Sequence, residues 1–205
     1  MAAALERLRP TDRFQVIRFN HDHDALFAGV RAASPANLAR AKTYVAGTSA
    51  EGGTEMLPAL RRALSGRIER GRLRQIVFLT DGAVSNETRL LAEIDARLRR
   101  GRLFTVGIGS APNGHFMRKA AEAGRGSFTY IGRVSEVGQR IGELFHKLER
   151  PVLTDVLTSW PEASGDGVAV EAYPKLAPDL YDGEPLVLSV RLPAGAADDG
   201  DAALG

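Results

Sequence analysis

Asp81 is the residue whose type and position most favour chemistry. It follows the apolar run Ile76 to Leu79 within Gln75-Ile-Val-Phe-Leu-Thr-Asp-Gly82, where hydrophobic side chains give way to a hydroxyl, a carboxylate and a glycine. A short apolar run with a β-branched start reads as a strand buried on both faces of a parallel sheet. In open α/β sheets ligands bind beyond the carboxyl ends of the strands, which makes Asp81 a candidate ligand-binding group. The same residue can instead cap the following turn, with Gly82 supplying a positive φ. Thr54, after Gly52-Gly53, places a second oxygen where a helix N-cap belongs. His21, Asp22, His23 and Asp24 have the side chains of metal ligands. Successive residues of a hairpin point in different directions, however, which favours a solvated turn over a four-ligand site.

Other constellations fall away on spacing. Gly107-x-Gly109 lacks the third glycine of a dinucleotide fingerprint and lies on a late strand. Gly107-Ile-Gly-Ser-Ala111 is not a Gly-x-Ser-x-Gly nucleophile elbow, and nothing in the sequence supplies an acid to orient His115. Metal-assisted phosphoryl or ester hydrolysis around Asp81 would need more than one carboxylate, and the pattern places only Asp81 there.

The elements that must position these residues alternate. Leu5 and Leu8 mark a helix stopped by Pro10. Phe14 to Phe19 reads as a strand, followed by a turn at 21–24 and a second strand from Ala25 to Val30. Ser34-Pro35 opens a helix closed by Gly47. Met56, Leu57, Leu60, Leu64 and Ile68 form the stripe of another. After the strand at 75–81 come a helix from Asn86 to Gly101, a strand at 102–109, a helix from Asn113 to Ala123, a strand at 127–131, and a helix capped by Ser135 and stopped before Pro151. Strands separated by helices of this length imply a doubly wound α/β fold, a mostly parallel sheet with helices on both faces. Beyond Pro151 the reading changes to strands at 152–160, 168–173 and 186–192. Residues 1–150 are thus expected to form the α/β domain, 151–193 a β-rich extension and 194–205 a disordered acidic tail.

Composition narrows the function classes. The 205 residues contain no cysteine, so disulfides and thiolate metal sites are excluded. No window approaches the ~18 apolar residues of a membrane span. Basic residues cluster in 61–74 and 97–102, and arginine supplies 23 of the 27 in the chain. No aromatic residue or nucleic-acid motif accompanies them. Cations suit the C-terminal turns of helices, so no nucleic acid is expected as a partner.

Phe14-Gln-Val-Ile-Arg-Phe-Asn20, Gly52-Gly-Thr-Glu-Met56, Ile76-Val-Phe-Leu-Thr-Asp-Gly82 and Phe104-Thr-Val-Gly-Ile-Gly109 occur in that order and at that spacing. Together they resemble a von Willebrand factor type A domain. The subfamily most similar is that of bacterial proteins joining a vault/inter-alpha-trypsin (VIT) domain to a type A domain, akin to inter-alpha-trypsin inhibitor heavy chains. Gly114-His-Phe-Met117 and the stretch from Tyr173-Pro174 to Leu186 look like that subfamily too. The resemblance implies a metal-ion-dependent adhesion site (MIDAS), with Thr54 and Asp81 as two of its ligands and Mg²⁺ or Mn²⁺ as its cation. It implies a protein partner that offers an acidic side chain to the metal, no catalysis, and an exported or cell-surface location.

The family's Asp-x-Ser-x-Ser loop occurs nowhere in the 205 residues. The first helical stretch also has no cap and no strand before it. The chain is therefore expected to be truncated at its front, without the first strand and that loop, and its metal site to be a remnant that binds weakly or not at all. The expected function is non-enzymatic protein–protein interaction or adhesion. The alternatives are a metal-dependent phosphoryl or ester hydrolase, or a fragment without independent function.

Overall fold

The computed structural model describes residues 2–48, 55–81, 86–109, 112–149, 151–159, 170–181 and 185–191. Residues 1–150 and 151–205 form two compact units.

The first unit is α/β. Its sheet has three parallel strands, β5 (Gln75–Thr80), β6 (Arg102–Ile108) and β7 (Phe128–Ile131), in the order β5-β6-β7. Register runs from Gln75 opposite Arg102 to Thr80 opposite Gly107, and from Thr105 opposite Phe128 to Ile108 opposite Ile131. Crossovers are made by α4 (Glu87–Arg97) and α5 (Gly114–Ala123), with α3 (Met56–Leu64) leading into β5 and α6 (Val137–Leu148) following β7. One face of the sheet is filled from α3, α4 and α5 by Met56, Leu60, Leu90, Ile94, Phe116 and Met117, packed on Leu103 and Phe78. Phe104 and Val106, alternating with Leu103 on β6, are 0% exposed on the opposite face. There α6 lies against β7 and accepts a bond at the Leu148 carbonyl from Gln75 Nε2 (3.2 Å). Ile141, Leu144 and Leu148 of α6 are all buried. Each such side chain contributes about 1.5–3 kcal/mol.

The apolar run at 76–79 is not the most buried strand. Residues 75–79 are half-buried, whereas 102–107 are buried throughout. The reason is position: among the described residues β5 has a ladder partner only in β6, whereas β6 is paired on both sides.

The first part of the chain departs from the expected hairpin. β1 (Arg13–Phe14) pairs with β4 (Arg31–Ala32), and β2 (Ile17–Phe19) pairs with β3 (His23–Ala25), both antiparallel. The break between β1 and β2 is made by Gln15, whose Oε1 accepts from Val16 N (3.0 Å) and Phe27 N (3.1 Å). A side chain here takes over bonds that a continuous ladder would have made, so Leu26 to Val30 do not form the expected strand. Phe19 stacks on Phe78 with ring centroids 5.1 Å apart. That contact is between side chains, without a ladder between β2 and β5.

α1 (Ala2–Glu6) packs on α2 (Pro35–Ala46) and α6. At α2, Ser34 Oγ accepts from Asn37 N (3.3 Å), the expected cap. α3 stops at Leu64, short of Ile68, because Gly66 has φ +80° and the Arg74 guanidinium takes the Leu64 and Gly66 carbonyls at 3.1 and 3.0 Å. Ser135 is not an N-cap. It lies inside a 3-10 turn, Val134–Glu136, that runs directly into α6.

In the second unit, β8 (Pro151–Leu153) pairs with β10 (Leu180–Tyr181), and β9 (Glu171–Tyr173) pairs with β11 (Ser189–Arg191), both antiparallel. These strands are shorter than the runs at 152–160, 168–173 and 186–192. Residues 194–205 lie outside the described residues.

Candidate functional site

The carboxyl edge of the parallel sheet is assembled from the ends of β5, β6 and β7 and the first turns of α4 and α5. Thr80, the last residue of β5, is buried (7% exposed). Asp81 comes next and is exposed. Among the described residues it forms no hydrogen bond or ion pair. Backbone geometry causes its exposure: the apolar strand ends at Thr80, and the following residue emerges into solvent beyond the ladder.

Close by, β6 gives way to Gly109, whose φ of +87° belongs to the left-handed region that glycine enters without cost. Its N–H donates to the Ile131 carbonyl (2.9 Å), and its own carbonyl accepts from the Tyr130 hydroxyl (2.9 Å). Gly107, two residues earlier, lies under Pro112. A Cβ at Gly107 would come within 2.8 Å of the Pro112 Cβ. Behind these strands Asn113 caps α5, its Oδ1 accepting from Phe116 N (3.0 Å) while its Nδ2 donates to Glu87 Oε1 in the first turn of α4. The pair ties the two helix starts together. Tyr130 (54% exposed) on β7 and Val134 (82% exposed) shortly after it present apolar surface.

Thr54 lies outside the described residues, as do Gly52, Gly53 and Gly82. The residue after Thr54 is placed: Glu55 N donates to the Asn20 carbonyl at the end of β2 (2.5 Å). Among the described residues the His21–Asp24 turn forms no group of three or more side chains that could hold a metal ion. Asp24 is engaged by Arg18 Nη2 (3.1 Å) and the Tyr44 hydroxyl (2.9 Å), with the Arg18 guanidinium 3.9 Å above the Tyr44 ring. The Tyr44 hydroxyl, then Arg18, hold the Asp24 carboxyl below the usual carboxylate range. Arg18, Asp24 and Tyr44 therefore fasten the β2–β3 hairpin to α2. His115 is exposed on α5, and Ser110 lies outside the described residues.

Sequence reasoning missed Glu87, Asn113 as its partner, and Tyr130. Asn113 was legible only as the start of a helix. Tyr130 had one signal, its place as an outward residue of the short strand 127–131.

A model of the von Willebrand factor type A domain matches residues 1–130. The chain belongs to that family. A type A domain-containing protein of Dictyostelium discoideum is 31% identical over 152 residues, covering 73% of this chain and 17% of that protein. Von Willebrand factor A domain-containing protein 5B1 of Homo sapiens is 28% identical over 190 residues, 91% of this chain and 15% of that protein. Inter-alpha-trypsin inhibitor heavy chain H2 of Sus scrofa is 24% identical over 187 residues, 85% of this chain and 20% of that protein. The chain thus spans a fifth or less of the length of these relatives. Among solved structures, the fold resembles that of a von Willebrand factor type A protein from Catenulispora acidiphila. There the TM-score is 0.64 and the identity 22%, over 71% of this chain and 36% of that one.

Type A domains are in general non-enzymatic protein-interaction or adhesion modules, and they commonly bind Mg²⁺ or Mn²⁺. The described residues of this type A domain do not match that metal chemistry. They contain no group of three or more His, Asp or Glu able to hold a metal ion. A hard divalent cation wants six or more oxygen ligands, and Asp81 is one exposed carboxylate.

Proposed function

We propose that this type A domain is a non-enzymatic protein-interaction module whose contact surface is the carboxyl edge of β5, β6 and β7. The observation that carries this reading is Asp81: an exposed carboxylate without a protein partner among the described residues, on the same carboxyl edge as the exposed Tyr130 and Val134, with β6 between them. Free charge beside apolar surface, on a rigid sheet edge, is what a protein partner can recognise. Thr54 and Asp81 are the remnant of a metal-ion-dependent adhesion site, and adhesion is the form of interaction this implies. The described residues offer too few ligands to offset the dehydration of Mg²⁺, so binding of Mg²⁺ or Mn²⁺ is no tighter than about millimolar.

Titration calorimetry with Mg²⁺ and Mn²⁺ tests the metal half of the proposal. Heats too weak to fit below the millimolar range are expected, unchanged in Asp81→Ala; micromolar binding would refute it. The partner half is tested by pull-down from the source organism's surface fraction with the parent and with Asp81→Ala and Tyr130→Ala. A protein retained by the parent and lost from both variants is expected. Equal retention by all three would place the contact elsewhere.

A further inference from the structure

The opposite, amino-terminal edge of the sheet is a second surface. Three αβ turns meet there: 65–74 before β5, 98–102 before β6 and 124–127 before β7. They are bonded to one another, Arg102 N to the Arg74 carbonyl (2.8 Å) and Leu103 N to the Gly124 carbonyl (3.1 Å). These turns contain eight arginines and one acid, Glu69. The chain's net charge of +2 conceals this. Residues 1–150 carry 25 Lys and Arg against 15 Asp and Glu, net +10, and residues 151–205 carry 2 against 10, net −8.

Some of the eight have structural duties. Arg74 takes the carbonyls at the end of α3, Arg72 pairs with Glu69 (3.0 Å), and Arg102 is buried. Arg67, Arg70 and Arg99 are exposed and form no hydrogen bond or ion pair among the described residues. Helix dipoles explain part of the cluster, since α3, α4 and α5 end here. Each helix end is worth only about half a negative charge, so three of them balance roughly 1.5 of the seven net positive charges. Arg99 and Arg125 add a second observation. They adopt φ of 53° and 52° just past the ends of α4 and α5, a position at which glycine is favoured and a side chain costs about 1–2 kcal/mol. Arginine stands at both positions although glycines flank them at 101, 124 and 126.

We infer that this arginine rim binds an acidic segment of a partner polypeptide. Guanidinium forks match carboxylates in bidentate geometry. The three turns crown strands about 4.8 Å apart, so the rim spans roughly three residues of extended chain. The turns contain no aromatic side chain on which a base could stack, which disfavours nucleic acid. They also present no large exposed apolar side chain to enter a membrane surface. The surface is independent of the Asp81 edge and stands whether or not that edge binds a partner.

The test is fluorescence anisotropy of a labelled peptide of alternating glutamate and glycine, with the full chain, at about 50 and 200 mM NaCl. Saturable binding that weakens with salt is expected. Arg67→Glu/Arg99→Glu should weaken it about tenfold or more, and the matched surface reversal Arg31→Glu/Arg89→Glu by no more than about twofold. If circular dichroism shows the first variant unfolded, Arg67→Gln/Arg99→Gln carries the same test, with about threefold expected. Equal affinity of parent and rim variant, an equal loss in the control, or tighter binding of oligothymidine, heparin or phosphatidylserine vesicles than of the peptide would each overturn the inference.

Discussion

Gly126→Ala adds one methyl group where the sheet has no room for it. A Cβ at Gly126 would lie 2.2 Å from the Leu103 carbonyl oxygen, 2.8 Å from its carbon and 3.2 Å from Phe104 Cδ1. Ordinary carbon–oxygen contacts are at about 3.3 Å or more, so the two backbones must separate by roughly 1 Å. Leu103 cannot yield freely: it is 1% exposed and lies in β6, which is hydrogen-bonded on both sides. Overpacking a core side chain costs about 1–3 kcal/mol, and a clash against backbone belongs at the top of that range. Partial weakening of one ladder bond, itself worth about 0.5–1.5 kcal/mol, adds up to about 1 kcal/mol. The expected loss is therefore about 3–4 kcal/mol, against a total stability of roughly 5–15 kcal/mol. At about 2–4 °C per kcal/mol for a chain of this size, the midpoint should fall by roughly 6–16 °C. Far-UV circular dichroism on heating and in urea reads this directly. Gly142→Ala is the internal control: it lies within α6 with nothing within 4 Å of an added Cβ, and should gain about 0.5–1 kcal/mol. A Gly126→Ala melt within about 2 °C of the parent would refute the steric reasoning.

Three further outcomes are expected. Phe104→Ala, at a site with 0% exposure, should cost about 3–5 kcal/mol in urea unfolding, and a loss under 1 kcal/mol would show that its face of the sheet is poorly packed. Glu93 accepts from Arg61 and Arg97, and Arg61 chiefly holds its carboxyl below the ordinary value of 4.5. A depressed folded value stabilises above the unfolded one, so Glu93→Gln should destabilise at pH 7 and converge with the parent as pH falls below 4.5; a gap that does not change with pH would contradict this. Finally, β5 has no ladder partner on its outer edge among the described residues, beside the half-buried Ile76 to Leu79. The chain should associate through that edge, with marginal stability, and a monomer that persists by light scattering at about millimolar concentration would count against it.

The parallel sheet was legible because period and punctuation agreed: apolar runs at 75–81 and 102–109 alternated with helices closed by Gly101 and Gly124. The Ser34 cap was legible for the same reason, since the bond it makes lies within four residues. What the sequence concealed depends on distant partners. The half-burial of Ile76 to Leu79 reflects which strands lie beside them, and composition cannot report that. The break at Gln15 comes from a side chain reaching Phe27, twelve residues away. α3 stops early because Arg74 caps it from beyond Gly66. At the candidate site, the position of Asp81 beyond the strand end followed from the apolar run, but the Asn113–Glu87 bond joins two helix starts 26 residues apart.

The double pairing of β6 bears on how this chain comes together and apart. Each parallel strand of the β5–β6–β7 ladder is joined to the next in sequence by a single crossover helix, so closing it requires loops of modest length and a correspondingly small entropic penalty. The two antiparallel ribbons, β1–β4 and β2–β3, are two-stranded and lean on side-chain stacking such as Phe19 on Phe78. Such ribbons hold poorly on their own. The β5–β6–β7 ladder with α4 and α5 should therefore be the cooperative block that opens last. Amides of β6 should exchange with solvent only on global unfolding, while those of β1 to β4 exchange through cheaper local openings.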